Sequence, residues 1–93
     1  MNVKDVVTIA VNHVGDLFEH ENITNLGLEE IEFDDQVGEW FVTVGFSRPW
    51  DYPYHAALAA LGGEAGIPKR SFKTVRVNKN GEVLAVKNRE VMS

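Results

Sequence analysis

Apolar and polar residues alternate with two different periods along this chain, and the change of period divides it. Over residues 3–20, apolar side chains recur at Val3, Val6, Val7, Ala10, Val11, Val14, Leu17 and Phe18. This is the i, i+3, i+4, i+7 spacing of one helical face. Valine is a weak helix former, because its branched Cβ loses rotamer freedom against the preceding turn. The predicted helix therefore needs an apolar surface to lie on. The stretch N-I-T-N-L-G-L that follows is rich in turn formers and reads as the exit from the helix.

From residue 29 the period falls to two. In E-E-I-E-F-D-D, Ile31 and Phe33 alternate with Glu30, Glu32 and Asp34, the pattern of a half-buried strand. D-D-Q-V-G-E reads as a hairpin connection. In the next run, W-F-V-T-V-G-F-S, Trp40, Val42, Val44 and Phe46 share one face, and Phe41, Thr43, Gly45 and Ser47 share the other. S-F-K-T-V-R-V-N-K and E-V-L-A-V-K-N-R-E read as a third and a fourth strand. Between them, Asn80-Gly81 signals a tight turn with positive φ at both residues.

Residues 49–70 interrupt the strands. Asp51 is an expected N-cap, with Pro53 in the first turn, where a missing N–H costs nothing. Tyr54, Leu58 and Leu61 share a helical face, and Gly62-Gly63 stops it. The pattern predicts a short helix from about 52 to 61, then a loop to Ile67-Pro68. The sum is a single α+β domain over 1–93. It has two layers, an N-terminal helix packed on a four-stranded antiparallel sheet, with a short helix inserted between strands 2 and 3.

The strand order and the passage from "FKTVRV" through a turn into Gly81-Glu82-Val83-Leu84 resemble PepSY-like domains with a cystatin-like fold. The resemblance covers residues 3–48 and 71–90. The segment 49–70 is longer than the corresponding connection in that family. The resemblance implies a non-catalytic role in binding or regulating other proteins, often peptidases, and a place outside the cytoplasm.

Composition narrows the function classes. A chain of 93 residues suggests one domain. No run of about 18 apolar residues exists, so no spanning helix is expected and no membrane partner. Asp5, Asn12, His13 and Asp16 break up any hydrophobic signal region near the start. With no cysteine there is no disulfide, zinc–thiolate site or thiol nucleophile, which fits a reducing, cytoplasmic setting. A net charge of -5 argues against nucleic acid as a partner. The charge is unevenly spread. Residues 1–45 hold one lysine and ten acids, whereas 46–93 hold eight Lys or Arg and four acids. The expected outcome is internal pairing across the sheet, with Glu30, Glu32 and Asp34 set against Arg76, Lys87 and Arg89. A basic patch for an acidic partner is the other reading.

Few residues carry chemistry. His13, Asp16 and His20 lie along one helix edge, but i to i+7 spans about 10.5 Å of rise, too far for both imidazoles to share an ion easily. No metal or cofactor is expected. The many carboxylates lack an apolar wall that would separate their pKa values, and no nucleophile or phosphate-loop motif is present. No catalytic residue is assigned. The aromatic segment offers Arg48, Trp50, Tyr52, Tyr54 and His55, the residue types that dominate binding hot spots. They could equally cover an open part of the sheet. The expected function is a small non-catalytic protein-interaction module of inhibitory, regulatory or immunity type. Its expected partner is a protein, with a homodimer across an open sheet face or edge as a further reading. The alternative is a small-ligand pocket protein, with or without catalysis, whose site lies between the sheet and the 49–63 insertion.

Overall fold

Asn2 starts helix α1 (Val3–Leu17) with a capping box. The Asn2 side chain accepts from the Asp5 backbone N–H at 3.0 Å, and the Asp5 carboxylate accepts from the Asn2 N–H at 3.2 Å. Two N–H groups that the first turn leaves unpaired are thereby satisfied. The helix is shorter than its apolar period suggests. Phe18 is the C-cap, and Glu19–Glu21 tighten into a 3₁₀ turn that ends at Asn22, φ 52°. His20 therefore leaves the helix edge it was expected to share with His13 and Asp16.

The chain continues as four strands, β1 (Thr24–Asp34), β2 (Glu39–Ser47), β3 (Ser71–Asn78) and β4 (Val83–Asn88). They form one antiparallel sheet in the order β1-β2-β3-β4. A computed structural model describes residues 1–49 and 70–89. Across these the expected architecture is present: two α+β layers, with α1 on one face of a four-stranded antiparallel sheet. The short helix expected at 52–61 lies outside the described residues.

The core is a valine layer. Val6, Ala10 and Val14 of α1 meet Val42, Val44 and Phe46 of β2 and Val75 and Val77 of β3, all fully buried. Only the row i, i+4, i+8 of the helix is sealed. Val11 and Phe18 flank it, half-buried, whereas Val3 and Leu17, read as members of the stripe, remain 47% and 54% exposed. A single helix crossing a flat layer of short side chains seats one row fully, and the rows on either side curve away from the sheet.

Two local readings change. The N-I-T-N-L-G-L stretch is largely strand rather than helix exit, since β1 begins at Thr24. Its turn formers make irregularities instead. Asn25 takes φ 55°, and the register with β2 slips between Thr24 and Gly27 and again between Leu28 and Glu30. Such bulges on an edge strand also discourage pairing with foreign strands. The β3–β4 turn is built differently from the expected one. Gly81 alone has positive φ, at 84°, and Asn80 does not. The Gly81 N–H donates to the Asn78 carbonyl at 3.0 Å, which centres a β-turn on Lys79 and Asn80. The Asn78 side-chain oxygen accepts from the N–H groups of Asn80 and Glu82, each at 2.9 Å. The result is a three-residue loop closed by glycine rather than a two-residue one. Its tip touches the helix, for a Cβ on Gly81 would lie 3.3 Å from Ile9 Cδ1.

Phe46→Ala is expected to cost about 3–5 kcal/mol, whereas Val3→Ala and Leu17→Ala stay within about 0.5 kcal/mol of the parent. Urea unfolding of the three variants measures the contrast. Equal losses would mean that the helix is seated on a wider stripe.

Candidate functional site

Strand β2 is buried on both sides from Val42 to Ser47. Helix α1 covers one side. On the other side lie Thr43, Gly45 and Ser47, and long charged side chains from β1 and from residues 70–89 reach across them. The Arg70 guanidinium donates to Glu29 Oε1 and to the Asn25 carbonyl, both at 2.8 Å. This pair sits directly on Gly45, where a Cβ would come within 2.7 Å of Arg70 Nη2 and 2.8 Å of Glu29 Oε1. Arg89 donates to the Thr43 hydroxyl at 2.7 Å and pairs with Glu30 at 3.1 Å. Farther along, Arg76 pairs with Glu39 at 3.2 Å.

A fourth pair stands on the helix side of the sheet. Arg48 Nε donates to Glu21 Oε1 at 2.8 Å, and its Nη1 to the Ser71 hydroxyl at 3.3 Å. The guanidinium carbon lies 5.2 Å from the centroid of the Phe46 ring and 5.7 Å from that of Phe18, and the two rings are 5.1 Å apart. Lys73 Nζ approaches Phe18 from 5.2 Å and contacts Asn88 Oδ1. Two cations thus gather over two aromatic rings with one carboxylate, Glu21, between the helix end and the sheet. Cation–π contact of this kind offsets part of the repulsion between them. Burial, and then the Arg48 charge, hold the Lys73 ammonium below its ordinary range, while Glu21 acts to raise it.

Each of these four ion pairs joins an acid from residues 21–39 to an arginine from residues 48–89. The opposite charges of the two halves are used inside the fold, as the internal-pairing reading held. The partners differ in part from those expected. Arg89 does meet Glu30, but Arg76 meets Glu39, and Asp34 turns to the hairpin, where its carboxylate accepts from the Gln36 N–H at 3.0 Å.

Of the residues singled out for partner binding, Arg48 is described, and Trp50, Tyr52, Tyr54 and His55 lie outside the described residues. Arg48 is held by Glu21 and Ser71, with its side chain 21% exposed. Arg70, at the other end of the 49–70 segment, is held by Glu29 and Asn25. The chain thus leaves β2 and re-enters β3 between two clamped arginines. Glu21, Phe18, Ser71 and Lys73 were missed by the sequence reading. Period-two alternation carries a signal for the cluster, since Arg48 follows Phe46 by two positions and so shares its helix-facing side.

The described surface holds a small depression of about 60 Å³, lined by Phe41, Thr74, Arg76, Ala85 and Lys87 on the face away from α1. Among the described residues, no group of three or more His, Cys, Asp or Glu side chains is placed to hold a metal. No helix among them is long and apolar enough to cross a membrane. No protein-family model matches the chain, and comparison with curated proteins and with solved structures finds no similar one.

Two outcomes follow from this geometry. Gly45→Ala should force Glu29 and Arg70 apart. Their coupling in a double-mutant cycle, expected at about 0.5–1 kcal/mol in the parent, should fall to near zero when the cycle is repeated in the Gly45→Ala background. For Lys73, a lowered folded-state pKa means that the unfolded chain binds the proton more tightly. Its cost to stability is present at neutral pH and fades as pH rises toward the ordinary 10.5. Arg48→Met should raise the Lys73 titration and Glu21→Gln should lower it, both read by NMR of the Lys73 side chain. Shifts in the reverse sense would refute the assignment of causes.

Proposed function

We propose that this chain is a small non-catalytic protein-interaction module, of inhibitory, regulatory or immunity type. It meets its partner through the aromatic segment that starts at Arg48. The observation that carries the reading is the pair of clamped arginines. Arg48 and Arg70 are each tied to an acid distant in the chain, which supplies a fixed base for the segment bearing Trp50, Tyr52, Tyr54 and His55. A fixed base lowers the ordering cost that an interface must overcome. The resemblance to PepSY-like domains implies the same kind of role.

The depression of about 60 Å³ on the described surface is smaller than metabolite sites, which commonly have volumes of about 300–1,000 Å³. The small-ligand alternative concerns the sheet and the 49–63 segment together, and ligand screening addresses it separately.

Capture from native lysate with the parent chain and with Trp50→Ala tests the proposal. A partner held by the parent should bind the variant about thirty-fold more weakly, the effect of losing a hot-spot aromatic worth about 2 kcal/mol. Circular dichroism checks that the variant is folded. An identical set of captured proteins, held equally well, would remove the aromatic segment from the interface. Quenching of Trp fluorescence by a metabolite, with no protein captured, would transfer the support to the pocket reading.

A further inference from the structure

On the strands of the sheet face away from α1, two exposed charges are left over by its internal ion pairs, while the half-buried Asp34 is held by the hairpin. Glu32 on β1 and Lys87 on β4 are both exposed, and neither joins the ion pairs formed among the described residues. They sit on the two edge strands, which lie about 14 Å apart at three strand spacings of about 4.8 Å. Between them the register sets a row, Glu32 opposite Phe41, Phe41 opposite Arg76, Arg76 opposite Ala85. Lys87 stands beside the end of that row, opposite Thr74, and the depression lined by Phe41, Thr74, Arg76, Ala85 and Lys87 occupies the basic end.

This row is complementary to itself when reversed. A two-fold axis parallel to the strands, in the plane where two such faces meet, keeps height along the strands and reverses order across the sheet. It lays Glu32–Phe41–Arg76–Ala85 of one copy over Ala85–Arg76–Phe41–Glu32 of the other. Each Glu32 then faces the smallest residue of the row, diagonal to Lys87 of the second copy, which itself comes over Glu30, already held by Arg89, and each Phe41 ring faces an Arg76 guanidinium. Both contacts occur twice, as an isologous interface requires. An axis across the strands would instead lay β1 on β1 and β4 on β4, so that Glu32 stays three strands away from Lys87 of the second copy. The charge pattern therefore selects one of the two face-to-face dimers.

We infer that this face is a homodimer interface, in which Glu32 of each copy enters the depression beside Lys87 of the other. An acidic peptide from another protein could engage Lys87 but would leave the matching free acid at the opposite edge without a role. A second copy uses both. The inference is independent of the partner reading, since Glu32, Phe41 and Lys87 lie apart from the Arg48 cluster.

Sedimentation velocity across a wide range of protein concentration tests it. The parent chain should form a dimer that added salt weakens, because the pairs lie at the rim of the interface. Lys87→Glu and Glu32→Lys should each weaken the dimer about tenfold or more, as like charges then meet twice. An equimolar mixture of these two variants should form a heterodimer, since both contacts between positions 32 and 87 are again between opposite signs. The chain carrying both reversals should recover self-association. Recovery in the mixture also rules out misfolding as the cause of the single losses. A parent that stays monomeric at every concentration would overturn the inference, including one that holds a different acidic protein through Lys87. So would a dimer that neither reversal weakens, or one weakened by each but restored by neither combination.

Discussion

Strand β2 has no free side along Val42–Ser47, and the rest of the structure is arranged around that constraint. A helix supplies one cover with little difficulty, because Val6, Ala10 and Val14 offer short apolar side chains to a layer of the same kind. The other cover is made of ions. Carboxylates from β1 and guanidinium groups from residues 70–89 cross the strand and meet above it, over Gly45 and Thr43. Charges are costly to bury, but here the chain lays down their stems and keeps the charged ends partly in water. Exposed pairs of this kind contribute little singly. Their larger effect is topological, since each joins the acidic half of the chain to the basic half across the sheet.

Gly45 shows how closely the ionic cover is fitted. It stands within a strand, where β-branched residues are ordinarily favoured. Its missing side chain is the space that the Glu29–Arg70 pair occupies. The bulge between Leu28 and Glu30 belongs to the same arrangement, for it lies at Glu29 and interrupts the strict alternation of β1 there. Local sheet propensity has yielded at both places to the needs of the cover.

The two ends of the sheet face differ in consequence. Toward Arg48 and Arg70, the charges are engaged and serve to hold the point where the chain departs from the sheet. Toward Glu32, Phe41 and Lys87, charge and apolar surface are left outward. A domain this small has limited surface to divide between folding and recognition. Here the engaged charges lie toward Arg48 and Arg70, where the chain leaves and re-enters the sheet, and the outward ones lie toward Glu32 and Lys87.

By itself, the sequence was sufficient for the helix, for the presence of four strands and for their antiparallel order, though not for the first half of β1, whose turn formers read as a helix exit. Those rest on periodicity and on turn residues, which act between near neighbours in the chain. It also contained the charge asymmetry and the face on which α1 lies. Partner choice among the charges was decided only by the tertiary structure. Which arginine meets which acid depends on bulges and side-chain reach, and so Arg76 goes to Glu39 and Asp34 to its own turn. The gathering of Phe18, Glu21, Arg48 and Lys73 was settled in the same way. Those residues are brought together by the crossing of helix and sheet, and no spacing along the chain measures that distance.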